Sequence, residues 1–556
     1  MNIFSKLLYL TMLKVSKKIE KEFEYNTNNM KQVNRDLLLK ILNNNINTEF
    51  GKKYRFKEIK SIEEYKQNIP LCTYDDYKEY IEKIAQGKKN ILTTDNVSYL
   101  ARTSGTTGTQ KLIPITNLGK KVASKYNGIL PQKFIYNNLK DKWNYGKGVM
   151  ITDIIVGTYT KAGIPISAAS SGGMKSLKNI IPFIWTSPVE VMELKDKESA
   201  FYLHALFALV DKNLMYISGI FVSTILDFFR LIEEKHELLI EDIRNGKINE
   251  KIIIDDDIRK KLNKKLHASK KRADELEKEF YKGFNGIAKR IWPSIAYIAC
   301  VTGANFSLYN SNVEFYIDKL PVCSIAYGAS EGMIGINPYI NKIEYVLLPD
   351  SCYFEFIDVK DIEKKNPYTS NIDEIIIGKS YEIVITNLNG LYRYRLGDIV
   401  KVVGFYNKTP KIEFLYRKNQ LLNMVSEKTT EQHLRYAIDK TVNKLNLKLV
   451  DYTTCPDNNT TPGRYIIYLE LRNFNNEYNI MEIEKKLDSE LKNANLAYGR
   501  FRDNNRLDQL KLVIVEEGAF NNLKDKLVKK GVSRSQLKVP RVISKDYIKD
   551  NMLLKI

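Results

Sequence analysis

The stretch "YLARTSGTTGTQKLIPIT", residues 99–116, constrains the fold of this 556-residue chain more than any other. Two short apolar runs predict strands over residues 97–101 and 111–115, and five hydroxyl residues and two glycines lie between them. Small residues let the backbone approach an anion closely, and hydroxyl and N–H groups hydrogen-bond phosphate oxygens. The stretch therefore predicts a phosphate-binding loop in a hairpin. A flexible linker is the alternative, and the flanking strands argue against it.

The loop differs from a Walker A motif. Gly105 and Gly108 are three residues apart, and no Gly-Lys-Ser/Thr ending follows them. Lys111 lies three residues further on and adds positive charge near the expected phosphate. A plain surface lysine is the alternative interpretation of Lys111.

Length and composition exclude several classes of protein. The chain is 44% hydrophobic, enough for a large core, and its length predicts several domains or one large domain with an appendage. Five cysteines lie far apart with no CxxC pair, and the four histidines are scattered. This distribution argues against a zinc site, a disulfide framework and a Ser-His-Asp triad. We expect a cytoplasmic protein.

The net charge of +21 is spread over many short lysine runs. A bias towards Lys, Asn and Ile explains this pattern better than a nucleic-acid or membrane partner does, so we expect no nucleic acid as a partner. The first residues, "MNIFSKLLYLTMLKVSKK", predict an amphipathic helix docked on the body, because lysines interrupt the apolar stretch. Residues 214–229 predict a buried helix, and no insertion into a membrane is expected.

The order of the elements predicts an α/β fold. We expect a large N-terminal domain of mixed sheets and helices over residues 1–420, a hinge over 421–429 and a small α+β lid domain over 430–556. Asn389-Gly390 predicts a hairpin turn between two strands within 380–406. Helices are predicted over residues 74–87, 199–246 (two helices), 257–283, 430–445, 480–493 and 519–530, and further strands over 294–303, 321–332, 353–359, 463–471 and 510–515.

Three motifs, in order, carry a family resemblance. "TSGTTGTQK", "YGASEG" and "YRYRLGD" resemble the motifs of the adenylate-forming superfamily, which includes the acyl-CoA synthetases. More narrowly, "PDSCYFEFID", "GLYRYRLGDIVKVVGFYNKTPKIEFLYRKN" and "QLKVPR" resemble the Gretchen Hagen family of acyl acid amido synthetases. The likeness runs from about residue 45 to about residue 545.

The resemblance implies a reaction in two halves that uses ATP and Mg²⁺. A carboxylate attacks the α-phosphate and forms an acyl-adenylate, and an amine then displaces AMP. Glu331 would bind Mg²⁺. Asp398 follows Gly397, which suits a strand end, and would accept both ribose hydroxyls. By the same resemblance, the remaining nucleotide-binding residues would be Ser104, Gly105, Thr106, Thr107, Gly108 and Lys111 on the phosphates, Tyr327 with Gly328, Ala329 and Ser330 at the adenine, and Arg417 at the ribose or phosphate.

Lys538 in "QLKVPR" is the lysine that the resemblance assigns to adenylation. Pro540 disfavours a helix just before it, so we expect an extended loop tip from which Lys538 swings towards the α-phosphate. A surface lysine is the alternative for Lys538, and Lys428 near the hinge is a second candidate. Arg393 and Arg395 are interpreted as structural.

The acyl substrate is harder to predict. By position, Thr160, Ile164 and Pro165, with Val301 and Thr302, are expected to line its pocket, and Lys120, Lys121 or Lys125 to meet its carboxylate. We predict an amido synthetase that joins a carboxylic acid to an amine, most simply an amino acid, as a monomer or weak dimer. A thioester-forming ligase on the same fold and an inactive basic binding protein are the alternatives.

Overall fold

The structure is a computed structural model, and it describes residues 3–103, 111–302, 307–340, 342–418, 422, 424–425, 427, 429–457, 459–474, 478–529 and 539–543. It divides into two compact units. The larger contains residues up to Thr103 and from Lys111 to Phe414, and the smaller begins at Leu415. The predicted hinge over residues 421–429 stays a prediction.

The larger unit is rich in helices. They are α1 Ile3–Asn28, α2 Met30–Asn44, α3 Glu49–Lys53, α4 Ile62–Asn68, α5 Tyr74–Ala85, α6 Asn117–Ala123, α7 Leu130–Asn138, α8 Ala169–Gly172, α9 Ile181–Ile184, α10 Val189–Met192, α11 Lys197–Val210, α12 Val222–Asn245, α13 Asp256–Asn263, α14 Lys270–Tyr281, α15 Ile287–Ile291 and α16 Ser307–Ile317. The helix α5 follows the predicted pattern, since Tyr77, Ile81 and Ile84 are buried on one face and Gly87 follows with φ 88°.

Three sheets lie in the larger unit. Their strands are β1 Val97–Arg102, β2 Leu112–Thr116, β3 Gly148–Ile151, β4 Thr158–Tyr159, β5 Pro165–Ala168, β6 Tyr216–Phe221, β7 Tyr297–Val301, β8 Val322–Cys323, β9 Ala326–Ala329, β10 Gly332–Ile336, β11 Tyr345–Leu347, β12 Cys352–Asp358, β13 Ser370–Asn371, β14 Ser380–Asn387, β15 Tyr394–Tyr406 and β16 Thr409–Arg417. Two four-stranded sheets have the orders β2-β1-β5-β4 and β3-β6-β7-β8, and the eight-stranded sheet has the order β13-β12-β14-β15-β16-β11-β10-β9.

The strand β6 corrects the sequence analysis. Residues 199–246 were predicted as two helices and 214–229 as a buried helix, but Tyr216–Phe221 pairs in parallel with β3 and β7. A strand in the middle of a sheet is buried on both faces, so apolar and polar residues do not alternate along it. The sequence pattern of such a short apolar run therefore cannot distinguish a strand from a buried helix. The basic helix predicted over 257–283 is likewise two helices, α13 and α14.

The smaller unit is an α+β arrangement, as predicted. It contains the helices α17 Glu431–Lys444, α18 Ile480–Ala494, α19 Leu496–Asp503 and α20 Ala519–Lys529 and the strands β17 Leu449–Asp457, β18 Arg464–Leu471 and β19 Lys511–Val515. The three strands form one sheet in the order β17-β18-β19. The strand β17 was not predicted, because its polar residues give it no clear apolar pattern. Two of them, Thr453 and Thr454, are buried and donate hydrogen bonds to the carbonyls of Pro540 and Arg541.

Among the described residues, no helix is both long enough and apolar enough to cross a membrane.

The side chain of His204 is buried in α11 and has a partner for each ring nitrogen. Its Nε2 lies 3.2 Å from the Thr152 carbonyl oxygen, so Nε2 carries the proton, and the Ser187 hydroxyl donates to Nδ1 at 2.7 Å. Burial lowers the pKa of His204 to about 4. The folded protein therefore keeps the His204 ring uncharged at neutral pH.

We predict that His204 makes the protein acid-sensitive. The unfolded chain binds a proton at this residue from about pH 6.5 and the folded chain only near pH 4, so stability is lost as the pH falls between these values. The loss is about 3 kcal/mol of unfolding free energy. Urea unfolding across this range measures it. His204→Gln should flatten the profile and exposed His267→Gln should not; equal profiles for both variants would contradict the assignment.

Candidate active site

The turn of the β9–β10 hairpin carries the "YGASEG" motif. Tyr327 lies in β9, and its ring packs against Tyr345 at 5.6 Å and Phe414 at 5.9 Å between ring centroids. Glu331 lies in the turn, where its side chain is buried. The hairpin thus presents an aromatic face and, four residues later, a carboxylate.

Asp398 lies within β15, not at a strand end as predicted. In the pairing of β14 with β15, Glu382 lies opposite Ile399 and Val384 lies opposite Arg395. A step of two residues in β14 thus corresponds to a step of four in β15, so β15 bulges at residues 396–398. Gly397 at the centre of the bulge has φ 77°, a conformation that glycine adopts without strain. A bulge re-aims the side chains beside it, which explains how a buried strand residue reaches the "YGASEG" hairpin.

A hydrogen bond joins the two motifs. The Tyr327 hydroxyl donates to Asp398 Oδ2 at 2.7 Å, and the Asp398 side chain is only 1% exposed. In the sheet order, β9 lies four strands from β15, which in a flat sheet would separate them by about 19 Å. The contact therefore shows that the sheet curls until its edge approaches its middle.

Two residues fix the position of Glu331. The Asn387 side-chain amide donates to the Glu331 carbonyl at 2.6 Å, and the Tyr394 hydroxyl lies 3.3 Å from Glu331 Oε1. The two arginines of "YRYRLGD" pair with Glu355 and Glu382, and among the described residues no lysine or arginine forms an ion pair with Glu331. Its carboxylate keeps acceptor capacity for a cation.

Helix α5 connects these motifs to the hairpin that carries the phosphate-loop motif. Tyr74 accepts the Leu112 backbone N–H at 3.0 Å, and the Lys111 ammonium lies 5.3 Å from the centre of its ring. One turn later, the Tyr77 hydroxyl donates to the Tyr392 carbonyl at 2.6 Å. One helix thus holds the end of the loop hairpin and the beginning of β15 in a fixed relation.

The two arginines of "YRYRLGD" are structural, as the sequence analysis interpreted them. Arg393 forms hydrogen bonds with both carboxylate oxygens of Glu355, at 2.9 to 3.1 Å, and both side chains are buried. Arg395 pairs with Glu382 at 2.5 Å. Each guanidinium is bound to a carboxylate, which leaves neither as a nucleotide ligand.

The other predicted nucleotide residues are distributed as follows. Ser104, Gly105, Thr106, Thr107, Gly108, Lys428 and Lys538 lie outside the described residues. Gly328, Ala329 and Ser330 lie in the β9–β10 hairpin, and Arg417 is the exposed last residue of β16. Thr103 and Lys111 are the first and last residues of the phosphate-loop motif. The Thr103 backbone N–H donates to the Lys111 carbonyl at 2.9 Å, as expected for a hairpin.

The residues predicted for the acyl pocket fall into two groups. Thr160 and Ile164 form a tight turn, and Pro165 is the first residue of the strand β5 that follows it. Val301 is the last residue of β7, which lies in a different sheet, and Thr302 comes directly after it. Of the predicted site residues that the structure describes, only Thr302 lines the cavity of about 880 Å³ between the ends of α7 and α16. Lys125 is bound to Glu22 and Asp350, so it is not a ready partner for a substrate carboxylate.

Sequence reasoning missed the contacts of Tyr394, of Asn387, and of Tyr74 and Tyr77 in α5. A tyrosine in a strand or helix has no motif of its own, so the hydroxyl contacts become visible only in three dimensions. Asn387 carried a weak signal, since it ends a strand just before the predicted Asn389-Gly390 turn, where a side-chain amide often bonds to nearby backbone.

The arrangement fits a nucleotide chemically. Asp398 offers a carboxylate that accepts hydrogen bonds from two hydroxyls, Tyr327 offers an aromatic face, and Glu331 offers one hard oxygen ligand. Within the described residues, no group of three or more acidic, histidine or cysteine side chains could hold a metal ion. One carboxylate suits Mg²⁺, which takes one or two carboxylates and completes its shell with phosphate oxygens and water.

Comparison with solved structures supports the same class. The structure matches the GH3.15 acyl acid amido synthetase with a TM-score of 0.86 and 26% identity, over 96% of each chain. It also matches 2-hydroxyisobutyryl-CoA ligase, solved with 2-HIB-AMP, with a TM-score of 0.54 and 10% identity, over 94% of this chain and 90% of that one. The second match shows a shared fold alone. Together with the site, the matches define an adenylate-forming ligase of the amido synthetase class.

The chain belongs to the GH3 family. Residues 19–322 match the GH3 family N-terminal domain, 345–417 the central domain and 432–546 the C-terminal domain. It is 30% identical to the probable indole-3-acetic acid-amido synthetase GH3.11 of Oryza sativa subsp. japonica, over 94% of this chain and 93% of that protein. It is also 30% identical to the jasmonoyl–L-amino acid synthetase JAR4 of Nicotiana attenuata, over 94% and 92%. The resemblance seen in the sequence is confirmed.

We predict that Tyr327→Phe weakens ATP binding about tenfold, because a hydrogen bond to a charged group is worth about 1.5–3 kcal/mol and the phenol orients Asp398. Isothermal titration calorimetry measures the change. Tyr381→Phe is the control, because its hydroxyl bonds to the Ile376 backbone instead. An unchanged dissociation constant for Tyr327→Phe would show that the phenol does not position the carboxylate.

Proposed function

We propose that the protein is an ATP- and Mg²⁺-dependent acyl acid amido synthetase, which activates a carboxylic acid as its acyl-adenylate and transfers the acyl group to an amine. The observation that carries the proposal is the 2.7 Å contact between Tyr327 and Asp398, with Glu331 on the same hairpin as Tyr327. This contact brings an adenine platform, a ribose acceptor and a metal ligand into one region of the larger unit.

Asp398 is the proposed ribose ligand. The Tyr327 hydroxyl donates to Oδ2 and orients a carboxylate, the kind of side chain that can accept hydrogen bonds from both ribose hydroxyls. The aromatic faces of Tyr327 and Phe414 suit a nucleobase, because stacking on a π-face demands no specific base edge. Recognition of the nucleoside would thus rest on side chains that the fold already holds in place.

Glu331 is the proposed Mg²⁺ ligand. Mg²⁺ held there would lower the charge that the incoming carboxylate meets. Glu331 would be its ligand, and Tyr394 and Asn387 hold the side chain and the backbone of Glu331 in place. Lys111, which ends the phosphate-loop motif, adds a second positive group to the same anionic substrate.

Lys538 is the proposed lysine of the adenylation step. The carboxylate oxygen forms a bond to the α-phosphorus, the bond to the bridging oxygen breaks, and pyrophosphate leaves with the electron pair; a nearby ammonium stabilises the charge on the transferring phosphoryl group. The residues that follow Lys538 are held firmly, since buried Arg541 pairs with Asp451 at 2.5 Å and Glu431 at 3.3 Å. Residues 539–541 are buried, so this part of the predicted loop tip is docked on β17.

The acid and the acceptor are proposed from the relatives. One relative is a probable indole-3-acetic acid-amido synthetase, and another is a jasmonoyl–L-amino acid synthetase. We propose the same substrate classes here: a largely apolar carboxylic acid, and an amino acid whose amine attacks the acyl carbon, expels AMP and loses a proton.

We predict that Lys538→Ala abolishes adenylation but leaves ATP binding within about twofold, because the ammonium acts on charge that develops in the transition state. Asp398→Ala should lower ATP affinity itself by at least about tenfold. Pyrophosphate exchange and calorimetry separate the two effects. Normal exchange by Lys538→Ala would refute its role, and normal ATP affinity of Asp398→Ala would refute the ribose site.

We predict an amide product and no thioester. Purified protein with ATP, Mg²⁺ and a panel of indole, aromatic and fatty acids should release pyrophosphate with at least one acid, and mixed amino acids should then give an amide by mass spectrometry. Coenzyme A in place of the amino acids is the matched control. A thioester in the control and no amide would establish the rival ligase, and no pyrophosphate with any acid would favour a binding protein.

A further inference from the structure

The first third of α1 exposes apolar side chains outside the region that the proposed activity explains. Phe4, Leu7 and Leu10 are 66%, 61% and 44% exposed, although a side chain of this kind is normally buried. The match to the GH3 family N-terminal domain begins at residue 19.

The opposite face of α1 is well packed, so the exposure is not a consequence of an undocked helix. Tyr9 is buried with its ring 5.8 Å from that of Trp143, and Phe23 is buried with its ring 5.7 Å from that of Phe134 in α7. The helix has a core face that it shares with the body and a second, outer face that remains in solvent.

Lysines continue the outer face towards the C-terminal end of α1. Residues 1–19 contain four lysines and no acidic residue. Lys6, Lys14, Lys17 and Lys18 are all exposed, and Lys21 follows on the same side. We call this surface, from Phe4 to Lys21, the outer face of α1. Exposed apolar side chains and nearby lysines are the two features that attract a helix to an anionic bilayer, through buried apolar area and through electrostatic attraction to the lipids.

Aromatic groups from the body extend the apolar end. The Phe183 ring lies 6.2 Å from that of Phe4, and the Lys6 ammonium lies 5.7 Å from the centre of the Tyr145 ring. Aromatic side chains with a nearby cation favour the headgroup level of a membrane, where one end is apolar and the other is wet.

We propose that the outer face of α1 docks the protein on anionic phospholipid surfaces. Phe4, Leu7 and Leu10 would enter the boundary between headgroups and acyl chains, and the lysines would pair with lipid phosphates above them. A second copy of the chain fits less well, because a two-fold contact through this face would bring lysines against lysines. Nucleic acid would use the lysines and leave the apolar side chains in solvent.

Vesicle flotation with the full chain tests the proposal. We expect binding to phosphatidylcholine vesicles that contain phosphatidylglycerol at least about tenfold stronger than to phosphatidylcholine alone, and weaker binding as salt rises. The variant Phe4→Ser/Leu7→Ser/Leu10→Ser should lose at least about tenfold. The control Ile253→Ser/Tyr281→Ser removes side chains that are 77% and 94% exposed elsewhere and should bind normally.

The charge is tested in the same way. Lys14→Glu/Lys17→Glu/Lys18→Glu should reduce vesicle binding, whereas Lys260→Glu/Lys261→Glu/Lys264→Glu, an equal change of charge on and beside the exposed side of α13, should not. All variants should keep normal pyrophosphate exchange, so this test is independent of the proposed function.

Three results would overturn the proposal. Equal binding to neutral and anionic vesicles would show that the lysines do not contact lipid phosphates. Normal vesicle binding by the Phe4, Leu7 and Leu10 variant would show that the apolar side chains do not enter the bilayer. Light scattering that shows a dimer dissociated by the same variant, without vesicle binding, would assign the outer face to a second copy.

Discussion

The curl of the eight-stranded sheet is the constraint on which the site depends. Only because the sheet bends does Tyr327 in β9 reach Asp398 in β15, four strands away in the sheet order. β10 also lies close to β12: a Cβ on Gly332 would lie 3.0 Å from Cys352 Sγ, tighter than an ordinary van der Waals contact. Right-handed twist and the bulge at Gly397 both increase curvature, so the backbone that shapes the sheet also places the Asp398 carboxylate.

Buried polar contacts fix the parts that the curl brings together. The Arg393–Glu355 pair anchors the segment before β15, and the guanidinium also donates to the carbonyls of Lys66 and Ile69. Arg393 has φ 45°, an uncommon conformation for a residue with a side chain, and these contacts hold it there. Charges buried with complete hydrogen bonding define one arrangement more sharply than apolar packing does, although their net contribution to stability is small.

Local sequence signals were sufficient for the elements that bear the motifs. The hairpin around the phosphate-loop motif, the Asn389-Gly390 turn and the helix α5 follow from apolar period and glycine chemistry. The nucleotide site that the three motifs predict stays a prediction. The sequence analysis missed features that depend on distant partners. The strand β6 shows no alternation of apolar and polar residues. The strand β17 contains threonines that are buried through hydrogen bonds to a distant segment. The contact of Tyr394 with Glu331 joins residues 63 positions apart. Asp398 was expected at a strand end because a bulge leaves no mark beyond its glycine.

The central claim is that one nucleotide site is built from the β9–β10 hairpin and the bulge of β15. A crystal structure with Mg²⁺ and an ATP analogue whose α,β-bridge is a methylene group tests it most directly, because the analogue binds without forming an adenylate. The account predicts the ribose hydroxyls on the Asp398 carboxylate, the adenine against Tyr327 and the metal on Glu331. An analogue bound elsewhere, with these three side chains untouched, would contradict it.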